Sequence, residues 1–516
     1  MTLKKVDLRD TGQFPELLLD YLDQSQSLTE FYNVYPNIEN ARKVIEGRKT
    51  FSQDKRRTLV EVLEKQYHGS PFKPDFSTLL DSKTFTVTTG HQLNIFAGPL
   101  YIIYKIITII KLANELKLAN PEYNFVPVYW MATEDHDFEE IASVHLFGET
   151  HKWEGEHKGA VGRLDPKELE SILKLLPVKP LLFSKAYLEN NTLTDAVRCY
   201  MHELFGKDGL VCIDADNADL KRHFLPIIKQ ELTAPVSEKL VSETTSKLSS
   251  LGYHTPLHAR EINLFYLRNN LRERIVREGD RFAVLNTEIT FSESEILQLS
   301  DEHPEYFSPN VVLRPLYEEV ILPNLAYIGG PSEVPYWMQL KGIFDHYEVP
   351  FPMLIPRNFA MYVKEFQGRK IEKLKIKYED LFLDQVELRR TFVENNTEKV
   401  LTLDDQKASL QRVIEEVLAK GIAVDKTMEG AVKAEQAKIL KSFVNLEKKI
   451  RRAEERNHAS EIDQLLNLKN KLFPKGTAQE RYDNFLNFYI DDPTFIRKFF
   501  NVFDPLDFKY YILIEE

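Results

Sequence analysis

Four consecutive residues, Glu134, Asp135, His136 and Asp137, follow the apolar run "NFVPVYWMA" at 124–132. A second polar group, Thr89, Gly90, His91 and Gln92, ends the β-branched run "KTFTVTTG" and is followed by Gly98 and Pro99. Neither group suits a hydrophobic core. Clustered carboxylates can hold a substrate ammonium or a cation, or remove a proton as a general base. Glycines let a ligand approach the backbone, and a helix starting near Gly98–Pro99 would offer free N–H groups to a carboxylate or phosphate. His91 and Gln92 can hydrogen-bond the same anion. Side chains alternate along a strand end, so at most two or three of residues 134–137 can face one ligand.

The runs that carry these groups explain how they would meet. "KTFTVTTG" reads as a strand, "GPLYIIYKIITIIKLANELK" as a mostly buried helix, and "NFVPVYWMA" as a second buried strand. Such a unit belongs to a parallel sheet, whose ligands bind outside the carboxyl ends of the strands. Neighbouring strands lie about 5 Å apart, so both motifs would open on one crevice. "LVCIDADN", "FAVLN" and "PFPMLIPRN" also read as buried strands. A doubly wound α/β domain over about 80–360 is expected, with insertions at about 150–205 and 225–310.

A third constellation lies in "SPNVVLRPLYEEVILPNLAYIGGPSEVPYWMQLKGIF". Arg314 is suited to bidentate pairing with a carboxylate. Gly329 and Gly330 precede Pro331 in another strand-to-helix turn, and Glu333, Tyr336, Trp337 and Gln339 open the helix. Arg357 ends a further strand. Core packing accounts equally well for Tyr336 and Trp337. No GxxxxGK[ST] occurs, so a P-loop is excluded. Asp135, His136 and Asp137 also have the donor types of a divalent-cation hydrolase, but no second histidine stands at helix spacing.

The 516 residues are too many for one ordinary domain. A net charge of -12 weighs against nucleic acid as a partner. Two cysteines, Cys199 and Cys212, without metal-ligand spacing fit a reducing compartment, and Cys212 in "GLVCIDADN" reads as a buried, inert thiol. The N-terminus lacks an apolar signal core and no run is long enough to span a bilayer, so a soluble cytoplasmic protein is expected.

After Met361 strand signals fade. Leu374, Leu381 and Leu388 stand seven apart, and Val432, Ile439, Phe443, Leu446, Ile450 and Ala453 follow at steps of 7, 4, 3, 4 and 3. This is a heptad seam. A helix over 431–472 would reach roughly 60 Å and pair antiparallel with helices in 371–420. The expected division is a body over 1–362, a coiled-coil arm over 363–478, and an aromatic segment over 479–516 that packs back on the body.

The chain resembles the bacillithiol biosynthesis cysteine-adding enzyme family, the cysteine ligases. Thr89, Gly90, Gln92, Gly98, Pro99, Tyr101, Tyr104 and Lys105 match its first motif, "ATEDHDF" at 132–138 with Glu140 its second, and Ser308 through Leu340 its third. Pro474, Gly476, Gln479, Glu480 and Arg481 match a late motif. The resemblance implies a Rossmann-like core with inserted connecting segments and a coiled coil that promotes a homodimer. It implies amide formation between cysteine and glucosaminyl malate, with ATP activating the cysteine carboxylate, magnesium accompanying the ATP, and no tightly bound metal. Whether nucleotide would sit in the crevice or near the coiled coil is left open. Glu134, Asp135, His136 and Asp137 are then the catalytic candidates, with neutral His136 as base. The substrate-binding candidates are Thr89, Gly90, His91, Gln92, Gly98, Arg314, Gly329, Gly330, Glu333, Tyr336, Trp337, Gln339 and Arg357. A dimeric nucleotide- or metabolite-binding protein without turnover, or a metal-dependent hydrolase, are the alternative readings.

Overall fold

The computed structural model describes residues 1–70 and 73–516. Its centre is a five-stranded parallel sheet. In spatial order the strands are Met353–Pro356, Asn324–Gly329, Thr84–His91, Asn124–Met131 and Val211–Asp214. Chain order therefore reverses between Thr84–His91 and Asn324–Gly329, which is where a doubly wound sheet opens its ligand crevice. Thr84–His91 and Asn124–Met131 are direct neighbours, with Gly90 opposite Trp130. The two polar motifs thus emerge side by side.

The Leu100–Ala119 helix crosses between these two strands. It is apolar almost all round because both faces are covered, and its isoleucines are fully buried in the main core. Lys105 is the exception, a cation 1% exposed in the middle of that run.

Between Met131 and Val211 the chain inserts a small hairpin and four α-helices, Phe138–Ile141, Glu170–Leu175, Leu181–Glu189 and Leu193–Phe205. Between Asp214 and Asn324 it inserts helices and a five-stranded antiparallel sheet. "FAVLN" contributes Arg281–Val284 to that inserted sheet, not to the parallel one. A short apolar run shows burial but not which sheet buries it.

A third sheet ties the ends of the chain together. Lys509–Ile514 pairs antiparallel with Thr2–Asp7 and parallel with Phe359–Val363. Arg357, just before that last strand, donates to the Glu480 carboxylate at 2.7 Å, and both groups are buried.

The arm is an antiparallel pair, Asp404–Val424 and Met428–Asn457, with Gln436 reaching Gln411 and Lys407 reaching Glu447. The long helix expected over 431–472 is broken. His458 leaves helical geometry at φ -106°, ψ 21°, and Ala459–Leu472 forms a separate helix. The break lets Ile462, Leu465 and Leu472 turn into a core with Phe382 and Tyr510, while the preceding helix projects away.

Candidate functional site

At the carboxyl ends of the central strands lies a crevice of about 220 Å³. Gly90, His91 and Gln92 form one side, Trp130 to Asp135 the floor, and Tyr327, Glu333 and Tyr336 the next strand's contribution. Arg272 and residues 309–311 reach over it from the inserted sheet and its exit, and Arg314 and Glu140 complete the wall.

The four residues 134–137 part company here. Glu134 turns inward and is held by the buried Lys221 ammonium, which also reaches Asp216 at 3.4 Å. Burial raises the Glu134 carboxyl above its usual range despite that lysine. Asp135 faces the crevice, accepts from the Gln92 amide, and sits 3.3 Å from Arg272. Burial opposes its charge, but His136, Arg272 and Gln92 outweigh burial and keep it ionised below the ordinary carboxylate range.

His136 and Asp137 do not line the crevice. Arg272 Nη1 lies 2.6 Å from His136 Nδ1, and a guanidinium has only donors, so Nδ1 is the acceptor. The neutral ring then carries its proton on Nε2 and has no free lone pair for a substrate proton. The expectation of His136 as base is corrected on that ground. Asp137 accepts from the Glu140 backbone N–H at 3.3 Å and so caps the short Phe138–Ile141 helix. Of the three donors proposed for a divalent cation, Asp135 and His136 lie 3.5 Å apart but both face the Arg272 guanidinium, and Asp137 is turned to the Glu140 backbone. Among the described residues no group of three or more His, Cys, Asp or Glu side chains is arranged to hold a metal.

On the opposite side, Lys105 Nζ donates to the Gly90 carbonyl at 2.9 Å and to both Glu333 oxygens at 2.8 and 2.7 Å. Glu333 also accepts from Gly330 N–H at 2.8 Å and from the Tyr327 hydroxyl at 3.4 Å, so both of its oxygens are engaged. His91 is pushed down to about 3 by burial and by the Lys105 charge. Its Nε2 meets the Tyr101 hydroxyl at 3.1 Å. His91 is therefore a neutral hydrogen-bonding wall. Gly90 lies close to both Arg314 and Tyr327: a Cβ there would make ordinary contacts, 3.5 Å from Arg314 Nη1 and 3.6 Å from the Tyr327 hydroxyl, so packing alone does not demand glycine.

Arg314 lines the crevice, braced at 2.7 Å by Glu318 and lying 6.0 and 5.8 Å from the centres of the Trp130 and Tyr327 rings. Burial lifts the Glu318 carboxyl to about 7 in spite of Arg314.

Several sequence candidates serve the fold instead. Thr89 is buried and donates to the Ile328 carbonyl, joining two strands. Trp337 is fully buried and stacks on Tyr327 at 4.2 Å. Gln339 binds Leu257 and Thr245 in the interior. Arg357 is committed to Glu480. Gly329 packs against Glu333, and Gly330 gives its N–H to that same side chain.

Gly98, at φ +59°, makes a turn that no side chain fits, since a Cβ would meet Ile102 at 2.6 Å and Asn94 at 2.7 Å. The helix start after it is no anion site. Leu100 N–H is taken by the Asp483 carbonyl at 2.8 Å, and Asn484 binds the Gly98 carbonyl at 2.6 Å.

Arg272, Glu140, Asn310, Tyr327 and Lys221 were missed as site residues by type and spacing. Arg272 sits in "LRERIVRE", where Arg274 shares its face two residues on, so nothing local distinguishes it. Lys105 had a signal, being the one charge in an isoleucine run.

Fold and crevice together define a Rossmann-like α/β protein with a C-terminal coiled-coil arm and a polar site at the sheet's switch point. The model of the "Bacillithiol biosynthesis BshC, N-terminal Rossmann-like domain" matches residues 1–358, and that of the "Bacillithiol biosynthesis BshC, C-terminal coiled-coil domain" matches 360–515. The chain belongs to the bacillithiol biosynthesis BshC family. It is 44% identical over 502 residues to the "Putative cysteine ligase BshC" of Flavobacterium psychrophilum, covering 94% of each chain. It is 31% identical over 503 residues to the protein of that name from Chlorobaculum tepidum, covering 89% of each. No helix among the described residues is long and apolar enough to cross a membrane.

Proposed function

We propose that this protein is a ligase that joins L-cysteine to glucosaminyl malate through an amide bond, forming bacillithiol. The observation that carries the reading is family membership along residues 1–515, with relatives named as cysteine ligases across 89–94% of the chain. The crevice is chemically suited to it. Arg314 presents a guanidinium to a carboxylate of malate or cysteine, and carboxylates stand opposite for an amine.

Amide formation needs an activated carboxyl group, and ATP is the proposed source, with magnesium as its companion. The crevice does not fit the triphosphate. Its two glycine turns, where phosphates would need free backbone N–H groups, are occupied by Asp483, Asn484 and Glu333. The residues present can bind and orient: Arg314 holds a carboxylate, and Arg272 fixes Asp135 and His136 at the rim.

We also propose a homodimer through the arm, where Val413, Val417, Ile439, Val444, Leu446 and Ile450 are exposed.

The test is thiol profiling by mass spectrometry in a strain lacking this protein. Loss of bacillithiol with accumulation of glucosaminyl malate, rescued by the intact gene and not by a copy carrying Asp135→Ala and His136→Ala, is expected. An unchanged thiol pool would remove the proposed reaction.

A further inference from the structure

Four carboxylates line the crevice: Glu134, Asp135, Glu140 and Glu333. Three already have a cation. Lys221 holds Glu134, Arg272 stands beside Asp135, and Lys105 grips Glu333. Among the described residues, the Glu140 side chain has neither an ion pair nor a hydrogen bond.

Its backbone, by contrast, is held at both ends. Asp137 accepts from its N–H at 3.3 Å, and Asn94 donates to its carbonyl at 2.9 Å. The Glu140 backbone is thus held at the crevice wall, and its side-chain oxygens are open to a ligand. The groups around it are Asp135, Asp137 and Glu333, all carboxylates, with the Tyr101 hydroxyl nearby. Burial and those three charges raise its carboxyl above the ordinary range. Asp135 and Glu333 are already paired with Arg272 and Lys105, so the bias of this wall toward a cation comes from Glu140 and Asp137, for which no ion pair occurs among the described residues.

Resting on the ligase reading above, we infer that Glu140 receives the primary ammonium of the amino-sugar substrate and takes the proton that frees its nitrogen lone pair. One N–H bond breaks, one carboxyl O–H bond forms, and the pair left on nitrogen becomes available to attack. His136 cannot do this, because Arg272 occupies its acceptor nitrogen. Asp135 is held ionised by Arg272 and Gln92 and is a weak base. Asp137, which caps the Glu140 helix, is a positioning residue for it.

The experiment measures calorimetric binding of glucosaminyl malate and of its N-acetylated counterpart, which has no ammonium, to the full-length protein, Glu140→Gln and Glu140→Asp. A pH profile of kcat/KM is taken for each. Thermal melting controls for folding, and Glu140 is exposed enough for all three to fold. Glu140→Gln is expected to lose about ten- to a hundredfold in affinity for glucosaminyl malate and to leave the N-acetyl compound unaffected. Glu140→Asp should restore part of the loss and move the acid limb of the pH profile. Equal affinity of wild type and Glu140→Gln for glucosaminyl malate would overturn the assignment of Glu140 alone. No binding of glucosaminyl malate by the wild type would overturn the ligase reading, and this assignment with it.

Discussion

The crevice and the arm treat charge and apolar surface in opposite ways. Around the crevice, Lys105, Lys221 and Arg272 are buried and held in ion pairs, while apolar side chains such as Trp130 and Met131 are hidden. Along the arm, pairs such as Lys433–Glu429 are exposed, and so are Ile439, Leu446 and Ile450. Desolvating a charge is expensive unless it is paired, whereas an exposed surface pair contributes about 0–1 kcal/mol. Burial of ions near the crevice therefore has to be explained by what it positions. Exposure of apolar residues on the arm has to be explained by what covers them.

The largest effect should come from breaking a crevice pair on one side only. Lys221→Met leaves Glu134 and Asp216 buried without their common cation. A loss of about 3–5 kcal/mol in chemical unfolding is expected. Lys221→Met combined with Glu134→Gln should recover part of it. A loss under about 1 kcal/mol would mean that the buried pairing is not what holds this wall.

Next comes Gly98→Ala, which is expected to cost about 1–3 kcal/mol because φ +59° with ψ -155° is a glycine conformation and the new Cβ has no room. Since the turn is closed by Asp483 and Asn484, substrate affinity per folded molecule should be unchanged. A variant that keeps its stability and loses binding would restore the anion-site reading of this turn.

The acid limb of stability gives a third comparison. His91 has a folded-state pKa of about 3 against about 6.5 when unfolded, so the unfolded chain binds the extra proton between those values. Its contribution is complete above about pH 6.5 and is lost as pH falls toward 3, by at most about 1.4 kcal/mol per unit. His91→Gln should flatten that limb as followed by urea midpoints at pH 4 to 7. An unchanged slope would place the titration elsewhere.

What was legible in the sequence follows the same division. The parallel sheet could be read because Thr84–His91, Asn124–Met131 and Val211–Asp214 are β-branched or apolar runs that lead into polar residues, a local pattern. Their adjacency brought Gly90, Gln92 and Asp135 together as expected. The inserted sheet could not be placed, because Arg272 reaches Asp135 across 137 residues and carries no mark beyond alternation. The roles of residues 134–137 were not legible either. All four are polar; only tertiary partners, Lys221 and Arg272, separate buried ion, crevice acid and rim histidine, while Asp137 is set apart by a local cap on the Glu140 N–H. The heptad seam was plain, yet the break at His458 was not, and one helix was expected over 431–472.

The smallest effect on stability, and the sharpest on assembly, is expected in the arm. Ile439 and Ile450 are each 37% exposed and Leu446 48%, so replacing them with glutamate removes little buried surface within one chain. Ile439→Glu with Leu446→Glu should change unfolding free energy by about 0.5 kcal/mol or less per site when measured on dilute protein. If a second copy covers this stripe, the same charges would be buried at the contact, and each would cost far more there. Sedimentation of wild type should then show a dimer at micromolar concentration and the double variant a monomer with the same melting curve. A dimer that survives both charges would move the interface off the stripe. The exposed leucine and isoleucines would then be surface residues of a two-helix hairpin that needs no cover.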